Sequence, residues 1–129
     1  MLADTRTNAG VDNISTFRKL TVIDEPGDRV IGIMTAGNLA LSQAVVNLVT
    51  EQGVAMTEDG PLETLHTAPS MVRAAQLMGR AVRTVYHVDG PALEAQAESF
   101  NVSILLGGQI GNCQLRLFQV YSAGNYIEA

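Results

Sequence analysis

The sequence has no tryptophan, one cysteine and two histidines among its 129 residues. The lone Cys113 cannot form an internal disulfide, which is typical of a chain in a reducing compartment, and its strand-like surroundings predict a small buried side chain. His66 and His87 are too few to build a metal site with one cysteine, and neither is placed to serve a serine triad. A phosphate-binding glycine loop is also missing, so we expect no cofactor and no metal.

Long apolar runs are missing as well. No stretch approaches the roughly 18 apolar residues that span a bilayer, and the start lacks the basic and apolar regions of a signal peptide. A net charge of −5 argues against nucleic acid or an anionic membrane as partner. With 47% hydrophobic and 16% charged residues, the chain is expected to be one globular domain over residues 1–129, located in the cytoplasm.

Two strands are predicted in the first third. Residues 20–23 and 29–34 are strand-like, and Pro26-Gly27 between them favours a turn, because proline fixes φ and glycine allows positive φ. The second strand is almost continuously apolar, so we expect both of its faces to be covered.

Two amphipathic helices follow. Asn38 is a suitable N-cap and Gly53 a suitable stop for the first helix. The second extends from about residue 70 to 87, where Asp89-Gly90-Pro91 should break or kink it, and residues 92–99 could add another turn or two. The apolar stripe of the second helix comprises Met71, Ala74, Ala75, Met78, Ala81, Val82, Val85 and Tyr86.

The last third is predicted to be β. Residues 102–106 and 113–121 form strands around a glycine-containing reversal at 107–112, and a turn at 122–125 leads into 126–127. Strands, two helices and then strands again indicate an α+β layered fold.

One polar stretch carries the clearest functional signal. Residues 4–20, DTRTNAGVDNISTFRKL, place Asp4 and Lys19 at the two ends of a loop. On spacing alone, the pair is an ordinary surface ion pair worth about 0–1 kcal/mol. Together with TAGN at residues 35–38, however, the stretch resembles the active-site entry of proteasome-type peptidases, and more closely the bacterial Anbu family. The resemblance extends over the whole chain and is weakest at residues 57–67.

The resemblance implies a four-layer αββα sandwich of the N-terminal nucleophile hydrolase type and a threonine nucleophile activated by its own amino group. Lys19 matches the family's lysine, Asp4 the aspartate that orients it, and Gly37 the backbone donor to the oxyanion. Spacing alone would equally allow Gly37 to serve only a tight strand-to-helix junction.

Three further positions, Thr7, Thr35 and Leu39, match residues that line the family's side-chain pocket. Strand surface or ordinary helix packing is the alternative explanation for each.

The nucleophile is not in the sequence. None of the three residues before Asp4 is Thr, Ser or Cys, and the internal Thr5 and Thr7 lack a free amine. We therefore expect a fragment of about half the protein, truncated at both ends, and poor solubility when it is expressed alone.

The resemblance implies a threonine-type endopeptidase subunit of a self-compartmentalising homo-oligomer, in rings or a spiral, that acts on peptides or unfolded proteins. The alternative is a non-catalytic structural or assembly subunit of the same fold.

Overall fold

The structure, a computed structural model, describes residues 19–95 and 101–129, so Asp4 and Thr7 lie outside the described part. Seven strands and two helices follow one another in the described chain, with a π-helical turn after the first helix. In order they are β1 (Lys19–Glu25), β2 (Arg29–Gly37), α1 (Leu39–Asn47), the π turn (Leu48–Gln52), β3 (Val54–Ala55), β4 (Leu62–Glu63), α2 (Met71–Ala95), β5 (Val102–Ile110), β6 (Arg116–Val120) and β7 (Tyr126–Glu128).

Five strands form one antiparallel sheet in the order β1-β2-β5-β6-β7, and β3 and β4 form a separate small hairpin. Both helices lie in the connection between β2 and β5. The predicted α+β class is therefore confirmed. None of the helices described is long and apolar enough to cross a membrane.

The predicted turn between the first two strands is present. Gly27 has φ +81°, and the amide of Asp28 donates to the carbonyl of Glu25 at 2.9 Å, which closes the hairpin. Positive φ is the conformation for which glycine is suited.

The two helices cover one face of the sheet and form the core with it. From α1 and the π turn, Leu41, Val45 and Val49 are buried, as the apolar spacing predicts. The stripe of α2 is also confirmed except at its last member, because Tyr86 remains 41% exposed. The strands supply alternate residues to this core, among them Ile31 and Ile33 of β2.

The other face of the sheet is bare in the described chain. Its exposed apolar side chains come from four strands: Leu20, Val22, Val30, Leu117 and Ile127. The expectation that both faces of β2 are covered is therefore wrong for the described chain, where burial alternates along the strand.

Two local predictions are also wrong, and a third is wrong in part. Helix α2 continues through Pro91 to Ala95, so the predicted break is absent, and Gly90 is buried against the ring of Tyr86. Strand β5 continues through the glycines of the predicted reversal to Ile110. Cys113 lies exposed in the turn before β6 rather than buried in a strand.

Candidate active site

Four of the six residues predicted for the site lie in the described chain, and they meet at one end of the sheet. Lys19 is the first residue of β1 and stands opposite Thr35 of β2. Gly37 ends β2, and Leu39 begins α1 two residues later. The other two, Asp4 and Thr7, are outside the described residues.

Lys19 and Thr35 are on the sheet face that the helices cover. Residues directly opposite each other in an antiparallel pair point to the same face, and Thr35 is only 5% exposed on the core side. In agreement, Nζ of Lys19 donates to Oε1 of Gln43 on α1 at 3.2 Å. The ammonium group is therefore at the rim of the core, beside the first turns of α1.

Gln43 is a site residue that the sequence analysis missed. It lies one helical turn beyond Leu39, so the two side chains share a face of α1. Its amide nitrogen also donates to Oδ1 of Asn47 at 3.4 Å, which helps orient the oxygen that meets Lys19. The helical spacing from Leu39 is the signal that could have identified it.

The backbone at Gly37 requires glycine for two reasons. Its φ is +102°, and a Cβ built there would collide with the carbonyl oxygen of Asn101, at the start of the β5 segment. The same carbonyl accepts the amide of Asn38 at 2.9 Å. The junction interpretation of Gly37 therefore has direct structural support, and any catalytic role would be additional to it.

Helix α1 begins with an ordered cap. Oδ1 of Asn38 accepts the amide of Leu41 at 3.1 Å, which confirms the predicted N-cap. The first amides of a helix have no acceptor within the helix, and its dipole favours negative charge at this end. The N-terminus of α1 thus faces the same region as Lys19 and Gly37.

This arrangement suits the binding of a peptide carbonyl that acquires negative charge. It offers one ammonium group, a helix N-terminus and the backbone of Gly37 shortly before that helix. No group of three His, Cys, Asp or Glu residues suited to a metal ion occurs among residues 19–95 and 101–129.

Known structures resemble this chain along nearly its whole length. Anbu, named as an ancestral β-subunit, from Yersinia bercovieri is 44% identical, with a TM-score of 0.73 over 98% of this chain and 49% of that one. Anbu from Hyphomicrobium sp. strain MC1 is 48% identical, with a TM-score of 0.67 and coverage of 98% and 50%. A helical assembly of the Anbu complex from Pseudomonas aeruginosa is 40% identical, with a TM-score of 0.74 and coverage of 98% and 50%.

The chain spans about half the length of these solved chains. A scan against protein-family models and a search of curated proteins find no match. The structural likeness and the identity together define the class of the chain as proteasome-like. Within that class, the chain belongs to the Anbu family.

Proposed function

We propose that the chain is part of a threonine-type endopeptidase subunit in a proteasome-like, self-compartmentalising homo-oligomer that degrades unfolded proteins. The observation that carries this proposal is the meeting of Lys19, Thr35, Gly37 and the N-terminus of α1 at one end of the sheet. The relative from Pseudomonas aeruginosa, described as a helical assembly, supports the homo-oligomer.

In the proposed mechanism, the nucleophile is the hydroxyl of an N-terminal threonine ahead of Asp4. Its α-amino group, with a reference pKa near 8, accepts the hydroxyl proton as the oxygen attacks the peptide carbonyl. Lys19 supplies positive charge beside the reacting groups, and Asp4 orients Lys19. Within the described residues Lys19 bonds the neutral Gln43, so this contact leaves its charge uncompensated.

The attack turns the carbonyl into a tetrahedral oxyanion. We assign the amide of Gly37 as its donor, supported by the dipole of α1 directly after it. Loss of one such donor typically costs about 3–4 kcal/mol of transition-state stabilisation. Collapse of the intermediate then breaks the peptide bond, and the ammonium formed in the first step returns its proton to the leaving amine.

Three residues are proposed for the substrate pocket. Leu39 is 66% exposed at the start of α1, so its side chain is available to contact a substrate. Thr35 is buried near the end of β2 and would form the floor. Thr7 would complete the pocket from outside the described residues.

For the fold, we propose that a second sheet covers the bare face and completes a four-layer αββα sandwich within a single domain. Gly32 and Gly107 stand opposite each other in the middle of this face. Two neighbouring positions without side chains leave the face flat there, which lets another layer approach closely.

A lysine exchange tests the activity. In the protein as its gene encodes it, Lys19→Ala should reduce hydrolysis of unfolded protein and fluorogenic peptides by about 10²–10⁴-fold while assembly is retained. Arg116→Gln, at an exposed ion pair on β6, is the matched control and should leave the rate unchanged. If the assembled wild type cleaves no peptide, the peptidase assignment is wrong and the non-catalytic alternative stands. A fully active Lys19→Ala variant would overturn the role proposed for Lys19.

A glycine exchange tests the covering sheet. A Cβ at Gly32 would meet nothing closer than 3.9 Å in this chain, and valine is favoured in strands. Gly32→Val should therefore be harmless if the face is open, but should lower the melting temperature of the natural protein if a second layer packs there. An unchanged melting temperature would contradict the sandwich.

A further inference from the structure

A basic groove lies on the opposite side of α2 from the sheet core. It has a volume of about 590 Å³ and is lined by three arginines of one face of α2, at positions 73, 80 and 83. One wall is the segment Met56–Thr57 after β3, and the other is Gly124 and Asn125 of the β6–β7 turn with Tyr126 at the start of β7. The groove is notable because the whole chain carries a net charge of −5.

Two of the arginines are fixed in place by the two walls. Nε of Arg80 donates to the carbonyl of Ala55 at 3.2 Å, and Nε of Arg83 donates to the carbonyl of Ala123 at 3.2 Å. A guanidinium group has five N–H donors, so each retains donors for a further partner. Anchoring lowers the conformational entropy that a partner's binding would otherwise cost.

The groove is also held at its floor by a close backbone contact. A Cβ at Gly79 of α2 would collide with the carbonyl oxygen of Gly124, so the helix lies directly on the β6–β7 turn. The side chain of Arg83 fills the space beside the same glycine, where a Cβ on Gly124 would come within 2.6 Å of it. The arginines are therefore presented by a rigid support.

The anchored arginines lack a carboxylate partner in the described chain. Arg73 is paired with Glu63 through Nε and Nη2 at 3.0 and 3.2 Å. Neither Arg80 nor Arg83 forms an ion pair with any carboxylate of residues 19–95 and 101–129. Within that part of the chain, the hydrogen-bond acceptors of these two guanidinium groups are neutral carbonyl oxygens.

Unpaired negative charge lies next to this groove. Glu58 and Asp59 follow directly after the wall residue Thr57, in a tight turn closed by the bond from the Gly60 amide to the Thr57 carbonyl at 3.1 Å. Both acidic residues are exposed and form no ion pair within the described residues. Opposite charges thus lie side by side on one surface without meeting.

We propose that this surface is an interface between two copies of the chain, in which the turn with Glu58 and Asp59 of each copy binds Arg80 and Arg83 of the other. An interface around a two-fold axis needs a self-complementary surface, and adjacent patches of opposite charge provide one. Each copy then supplies both the acidic turn and the basic groove. The proposal does not depend on peptidase activity.

Reversal of the charges tests the pairing in the protein as its gene encodes it. Self-association, measured by sedimentation velocity at low salt, should weaken by about tenfold or more in the Arg80→Glu/Arg83→Glu variant and equally in the Glu58→Lys/Asp59→Lys variant. An equimolar mixture of the two variants should restore association, because each reversed groove then meets a reversed turn. Glu51→Lys and Arg116→Gln, at exposed sites outside the groove, are the charge controls.

The neutral variant Arg80→Gln/Arg83→Gln should keep its melting temperature. It therefore separates a loss of pairing between the two copies from a loss of folding. Restored association in the mixture supports the proposal. Wild-type association of either charge-reversed variant overturns it. The proposal is also overturned if only the arginine reversal weakens association and the groove binds inorganic phosphate or an acidic peptide instead.

Discussion

Arg29 is expected to be the most sensitive charged residue of the described chain. It opens β2, and its side chain is only 8% exposed. Nη1 donates to the carbonyls of Leu65 and Ala68, both at 2.8 Å, and Nε donates to Oδ2 of Asp28 at 2.9 Å. One buried guanidinium thus ties the segment before α2 to the hairpin of β1 and β2.

The size of the effect follows from these contacts. Hydrogen bonds to a charged group contribute about 1.5–3 kcal/mol each, and a buried carbonyl left without a donor costs about 1–3 kcal/mol. Arg29→Ala removes the donor from two such carbonyls, so the free energy of unfolding should fall by about 3–5 kcal/mol. Arg29→Lys keeps the charge but not the planar fork, so its free energy of unfolding should lie between those of the wild type and Arg29→Ala.

Urea unfolding followed by circular dichroism measures this difference. The midpoint should shift while the m-value stays constant, because the same surface is exposed on unfolding. Arg116→Ala, which removes an exposed arginine paired with Glu128, should change the midpoint little. A loss below about 1 kcal/mol for Arg29→Ala would refute the reasoning that these bonds hold the segment.

Three further outcomes are expected. Gly79→Ala should destabilise the chain by about 1–3 kcal/mol in urea unfolding, although alanine favours helices, because its Cβ would displace the Gly124 backbone. Gly37→Ala should likewise lower the melting temperature, because φ is +102° there; a thermally unaltered variant would contradict this. The hydrogen bond from Arg116 holds the pKa of Glu128 below its ordinary value, so the pair's contribution is present above the ordinary carboxyl range and is lost as pH falls through the lowered pKa. Arg116→Gln should return the Glu128 titration, followed by NMR, to its ordinary range.

Patterns of neighbouring residues in the sequence predicted the elements that form through contacts between neighbouring residues. The apolar spacing of α2 and the Pro26-Gly27 turn each depend on neighbours in sequence, and both are confirmed. The predicted break at Pro91 is absent because a helix can continue past proline when packing holds it, and buried Gly90 rests on the ring of Tyr86 here. That contact is not evident from composition.

The β5 error has a similar origin. Gly107 and Gly108 suggested a reversal, yet both pair with β2 on one side and with β6 on the other. Glycines within a central strand are permitted where another backbone approaches closely, and a Cβ at Gly108 would collide with the carbonyl of Val30. Only the pairing of strands distant in sequence reveals this.

For the candidate site, residue types came from the family resemblance and their relative placement from the structure. Lys19 and Thr35 lie opposite each other on β1 and β2 because of the hairpin register, which the turn at Pro26-Gly27 sets. The contact of Lys19 with Gln43, 24 residues away, depends on how α1 packs and could not be predicted from spacing. The roles of Asp4, Lys19 and Gly37 in catalysis remain proposals.

The π turn after α1 has a consequence for how related chains are aligned. The amide of Gly53 donates to the carbonyl of Leu48 at 2.8 Å, so this turn holds one residue more than an α-helical turn would. A relative lacking one residue between positions 48 and 52 would keep a regular helix and the same exit. We therefore expect a change in length of one residue at this point to leave the hairpin of β3 and β4 in place.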